Sequence, residues 1–225
     1  MTNVTGRWCS AVLLLATLTA CSDEEAAPLG EAGASASASA APPPSEGLLL
    51  TSLLTPADIA PDVTGPPPAV AGTEAADVGV RDKPVCDVKA DLDDLAAVSV
   101  GPMTDPDASE QVYEALTVAD GTAEAQEYIG TVRERGEARC TFDETVAEAT
   151  YTVAVEGPVE LGSVGDEAAG YSTAYTGGYT GFRWDMTTRR GRILVNVQYT
   201  STSPIEPGRA VELLRQALDK ASVLA

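Results

Sequence analysis

The sequence predicts an α+β fold: an antiparallel sheet packed by helices, forming a single domain behind a disordered tether. Three observations carry that prediction. Arg183–Thr188 and Ile193–Tyr199 flank Arg189-Arg190-Gly191 and make the clearest hairpin in the chain. From Pro207 onward, Ala210, Val211, Leu214, Ala217, Leu218 and Ala221 fall on one helical stripe. Residues 22–46 hold one Leu and no aromatic side chain, too little apolar surface to offset the entropy of an ordered chain.

The elements follow in order. After Arg7 comes Ala11–Ala20, a ten-residue apolar run, and then Cys21. Ten helical residues span only about 15 Å, half a bilayer core, so residues 1–20 read as a signal peptide and not a membrane span. Leu18-Thr19-Ala20-Cys21 resembles the bacterial lipobox, in which the cysteine sulfur receives a diacylglycerol and becomes the first mature residue. The expected partner is therefore a membrane, reached through a lipid anchor on Cys21, and two or more acyl chains suffice for stable anchoring. Cys9 would leave with the signal peptide. Residues 21–46 then form the lipidated linker, with a reach on the order of 27 Å by flexible-chain scaling.

Residues 47–225 are long enough for one core. Thr55 and Pro56 read as the N-cap and first residue of a short helical turn over 56–59. Five prolines make 60–84 mostly loop. Val88, Leu92, Leu95 and Val98 lie near helical spacing, although Val98-Ser99-Val100 can also extend as a strand. Gln111–Val118 reads as a strand ended by Asp120-Gly121. A helix follows over 122–135, with Thr122 as cap and Gly136 as stop. Thr150–Val155 and Ala168–Tyr175 are further strands. Antiparallel hairpins with helices covering one face give the α+β class.

Composition removes several kinds of chemistry. The chain has 34 Asp+Glu, 14 Lys+Arg and no histidine, a net charge of −20. Without imidazole there is no Ser-His-Asp or Cys-His unit and no His ligand for zinc. Such an acidic chain repels phosphate backbones, so no nucleic-acid partner is expected. No G-x-S-x-G or S-x-x-K motif appears, and no catalytic residue is assigned. A carboxylate-only glycosidase needs just two acids, but nothing in the sequence selects a pair.

Cys86 and Cys140 are the two cysteines of the domain. In an exported protein they can pair as a disulfide; two free thiols are the alternative, with neither a CxxC nor a third ligand type to support it. Asp87, Asp91, Asp93 and Asp94 cluster, yet they lack EF-hand spacing and read as a charged face. No metal and no cofactor is implied.

The candidate ligand-binding residues are Tyr175, Tyr179, Arg183 and Trp184, within an aromatic- and glycine-rich stretch over 171–184. Ring faces and hydroxyls suit a sugar, a lipid head group or a peptide; the plainer reading packs these rings into the sheet. Residues 181–225 carry seven basic and four acidic side chains, against six and 25 in the rest of the domain. Arg183, Arg189, Arg190 and Arg192 can hold an anion or an acidic partner, or can answer the acidic body of their own domain.

Leu53-Leu54-Thr55-Pro56-Ala57-Asp58-Ile59, the cysteines bracketing a strand–helix unit, Gly165-Asp166-Glu167-Ala168 before a strand, Arg189-x-Gly191 at a hairpin turn and the closing helix recur together in one known group. On these motifs the chain resembles the actinobacterial sensor-domain lipoproteins, which are similar to the extracellular sensor domain of the mycobacterial kinase PknH. The resemblance implies an antiparallel sheet packed by helices, with a cleft for a small ligand. The expected function is a membrane-anchored lipoprotein on the extracytoplasmic face of the cell membrane, a non-enzymatic ligand-binding or sensor module of the envelope. The alternative is a structural or interaction lipoprotein that docks another envelope component through a charge-polarised surface.

Overall fold

The computed structural model describes residues 42–70, 84–89, 92, 94–146, 149–177 and 180–224. The expected signal peptide, Cys21, most of the linker, Asp91, Asp93 and Tyr179 lie outside the described residues.

Eight strands form one antiparallel sheet: β1 (Ala69–Val70), β2 (Asp94–Thr104), β3 (Glu110–Ala119), β4 (Thr141–Val146), β5 (Ala149–Pro158), β6 (Glu167–Thr176), β7 (Gly181–Arg190) and β8 (Ile193–Ser201). Their spatial order is β1-β2-β3-β8-β7-β6-β5-β4. The helices are α1 (Glu46–Thr51), α2 (Pro56–Ile59), α3 (Thr122–Ala138) and α4 (Pro207–Ala221). Helix α2 opens as expected, with Pro56 in its first turn and a capping box between Thr55 and Asp58. The hairpin closes with Arg190 opposite Ile193. Gly191 takes φ 57° there, a left-handed turn position.

The structure departs from the sequence reading at four places. Residues 94–98 are strand and not helix: Val98 faces Leu116, and Val100 faces Glu114. Partners offered by β3 override a spacing that suits either element. Helix α3 is capped by Gly121 instead of Thr122 and runs past Gly136 to Ala138. Gly136 is a packing position, because a Cβ there would lie 3.0 Å from Cβ of Tyr171. Arg139, in the left-handed conformation, ends the helix. Strand β4 has no clear alternation in its sequence, Thr-Phe-Asp-Glu-Thr-Val, and pairs only with β5 at the sheet edge.

The fourth departure is the largest: helices cover both faces of the sheet. Ile193, Val195, Val197 and Tyr199 join Leu116, Val118 and Met186 beneath α1 and α4. On the other face, Leu194, Ala119, Val155, Ala169 and Tyr171 pack against Ala125, Tyr128, Ile129 and Val132 of α3. Strand β8 is buried at every position from Ile193 to Tyr199, so its near-continuous apolar run marks two-sided burial. Cys86 and Cys140 form a disulfide with a Cα–Cα separation of 5.4 Å, tying the segment before β2 to the end of α3.

One carboxyl lies deep on the α4 face. Glu114 is fully buried, and its Oε2 accepts from the Leu54 N–H at 2.5 Å. Burial pushes its pKa up to about 8. The Asp58–Lys220 pair, 2.7 Å apart, clamps α2 to α4 nearby.

Candidate functional site

Side chains alternate across a strand, so the register places odd-numbered residues of β6 and β7, and even-numbered residues of β8, on the face that α3 covers. Helix α3 packs on part of this face. Further along the strands the same face carries charged and polar groups from five strands: Tyr113 of β3, Gln198 of β8, Asp185 and Arg183 of β7, Tyr175 of β6 and Glu144 of β4.

Arg183 is the hub. Its Nε donates to Asp185 Oδ2 at 2.8 Å, and its Nη1 lies 3.7 Å from Glu144 Oε2. Its guanidinium sits 5.1 Å from the centroid of the Tyr175 ring, within cation–π range. The Tyr175 hydroxyl donates to Glu144 Oε2 at 3.4 Å. Two residues along the strand from Arg183, and hence on its own face, Asp185 is 1% exposed and also takes a hydrogen bond from Gln198. Next to this pair, Asn196 Nδ2 donates to Thr187 Oγ1 at 2.9 Å. Among the described residues, Asp185 Oδ1 and Asn196 Oδ1 are buried and have no hydrogen-bond partner.

Burial is the largest influence on the pKa of Asp185, Tyr175 and Tyr113. It pushes the Asp185 carboxyl above the usual carboxylate range, with the Arg183 guanidinium and Gln198 pulling against it. Tyr175 is raised, again chiefly by burial and against the field of Arg183. Tyr113 follows the same pattern. For Arg183 itself, burial works against the charge, but Asp185, Tyr175, Tyr171 and Glu144 outweigh it and raise the pKa.

Of the four residues singled out from sequence, Tyr175 and Arg183 meet in this cluster. Trp184 does not: it lies on the opposite face, across from Tyr199 and against the core under α4. Tyr179 lies outside the described residues. Asp185, Glu144, Gln198 and Tyr113 were missed. The signal for Asp185 was available, since Arg-x-Asp in a strand puts both charges on one face; Glu144 had none, because only the fold brings β4 across β5 to it.

Two basic residues of the last third bind within their own domain. Arg189 reaches Asp166 at 3.5 Å and Glu167 at 3.4 Å, and Arg209 donates to the Ile59 carbonyl at 3.1 Å. Gly165, in the left-handed conformation, precedes this contact, and a Cβ there would collide with Thr188 and the Arg189 carbonyl. Among the described residues no group of three His, Cys, Asp or Glu side chains is placed to hold a metal ion. No helix among them is long and apolar enough to cross a membrane.

No family model and no curated protein matches the chain. Solved structures do. The extracellular domain of PknH from Mycobacterium tuberculosis superposes with a TM-score of 0.63 at 14% identity, over 80% of this chain and 98% of that one. An uncharacterized protein (Rv0999 ortholog) from Mycobacterium smegmatis gives 0.42 at 12% identity, over 73% and 91%. The first likeness establishes a shared fold, the one implied by the sequence resemblance.

Proposed function

We propose that this protein is a lipid-anchored lipoprotein on the extracytoplasmic face of the cell membrane, with Cys21 as the anchor, that binds a small envelope ligand without transforming it. The observation that carries the reading is the Arg183–Asp185–Glu144–Tyr175 cluster, in which Asp185 and Tyr175 are buried and Arg183 and Glu144 are partly so. Taking ion pairs out of water costs several kcal/mol per ion, on the order at which well-packed apolar residues would do as well or better. Charges retained at that cost favour a role beyond packing. Both carboxylates are engaged by Arg183, which favours recognition over acid–base catalysis. The fold shared with an extracellular domain is consistent with placement outside the membrane. Signal peptide 1–20, linker 21–46 and domain 47–225 complete the proposal. A surface that docks another envelope protein through its arginines is less supported, because three of the four arginines of that group, Arg183, Arg189 and Arg192, are engaged within the chain.

Native mass spectrometry of protein purified from its own membrane tests the reading. A small molecule retained by the native chain and lost from Tyr175→Leu supports it. A chain that carries nothing sinks it.

A further inference from the structure

The residues left unsatisfied in the cluster specify the chemistry of what binds there. We infer that it receives a hydrogen-bond donor, an amine or a pair of neighbouring hydroxyls, and not an anion; this rests on the binding reading above.

Arginine at a candidate site suggests a carboxylate or phosphate ligand, but here the guanidinium already faces two carboxyl groups. Nε is on Asp185, Nη1 faces Glu144, and the Tyr175 ring lies against it. One positive charge meets two carboxyl groups, so an incoming anion would face the net negative charge of Asp185 and Glu144. Arg135 of α3, whose field also reaches Asp185, has its Nε on the Val88 carbonyl at 3.2 Å.

What remains open on this face is acceptor capacity. Asp185 Oδ1 and Asn196 Oδ1 are both buried and both unpartnered among the described residues. Asp185 pairs with Gln198 and Thr187 with Asn196, so Asp185 and Asn196 are diagonal neighbours on adjacent strands. Such neighbours stand ~7–8 Å apart at Cα, and a donor hydrogen-bonds at about 2.8 Å from each oxygen. Acceptors left unpaired in a protein interior are costly, and two of them side by side select for a group with two N–H or O–H bonds. An anion supplies none.

Calorimetric titration of the mature chain with three probe series decides the matter: ethanolamine and 1,2-diaminoethane, glycerol and myo-inositol, and inorganic phosphate and acetate. Saturable binding of the amines or of the polyols is the expected result, and whichever series binds identifies the source of the donors. Asn196→Leu removes one orphan acceptor while leaving the Arg183 ion pairs in place, and should weaken that binding at least tenfold. Asn196→Asp keeps an acceptor oxygen at the same position and should retain binding. Phosphate or acetate binding with equal or greater affinity, or no saturable binding by either donor series, overturns the donor assignment. The native mass spectrum is independent of these titrations and decides the binding reading separately.

Discussion

Glu114 and Asp185 are carboxyl groups buried on opposite faces of one sheet, at 0% and 1% exposure, and they are held in opposite ways. Glu114 lies between Val100 and Val197, with a single donor, the Leu54 N–H. Lys220 cannot neutralise it by contact, since that ammonium is on Asp58. Protonation does the work: with a pKa near 8, Glu114 is a neutral acid at neutral pH and fastens the entering chain to the sheet. Asp185 is instead matched by a guanidinium and an amide. The second oxygen of each is unpartnered among the described residues. An orphan oxygen alone therefore marks no site; beside Asp185 a second orphan, on Asn196, shares the face. The covering helices differ as well. Helix α4 buries seven side chains along an apolar stripe, whereas α3, which covers the charged face, has a disulfide at its end.

The contrast can be broken most forcefully at Arg183. Arg183→Met leaves Asp185 and Glu144 without a counter-ion and should cost about 3–5 kcal/mol in urea unfolding, and adding Asp185→Asn should recover most of it. If the single change is silent, the cluster is not charged in the way described. Next in size is the staple of the α3 face. Replacing Cys86 and Cys140 by Ser opens a loop of 54-residue separation and should remove roughly 4 kcal/mol by the loop-entropy relation. Thermal melts with and without reductant check this.

Glu114→Gln sharpens the comparison through pH. The folded pKa of about 8 exceeds the ordinary 4.5, so the folded chain keeps a proton that the unfolded chain has released. Stability should fall as pH rises from about 5 to about 8, by about 3 kcal/mol, and level off above. The Gln variant should lose that slope. A slope unchanged in the variant would assign it to other groups. The smallest effect is expected at the surface clamp of the same face: Lys220→Met breaks a half-exposed pair with Asp58 and should cost about 0.2–1 kcal/mol, diminishing with salt.

Much of the fold was legible along the chain. The 183–199 hairpin, the closing helix and the Thr55–Pro56 turn are local patterns whose capping and alternation suffice to place them. Residues 94–98 misread because their spacing fits helix and strand alike, and only β3 chooses between them. Gly136 misread because a glycine near a helix end reads as a stop, while here the approach of Tyr171 explains it. Within the site, Tyr175 and Arg183 were legible as scarce aromatic and basic residues in one segment. Trp184 was grouped with them by proximity in sequence, although adjacent residues of a strand point to opposite faces.

By itself the sequence determined the chemistry that is excluded, the α+β class and the cysteines able to pair, because composition, periodicity and residue count are properties of the chain alone. Tertiary structure decided that both sheet faces are covered, that Glu144 crosses from β4 to Arg183, and that Asp185 and Asn196 are left with open acceptors. Those outcomes depend on strand order and register, which join residues tens of positions apart and leave no periodic trace between them.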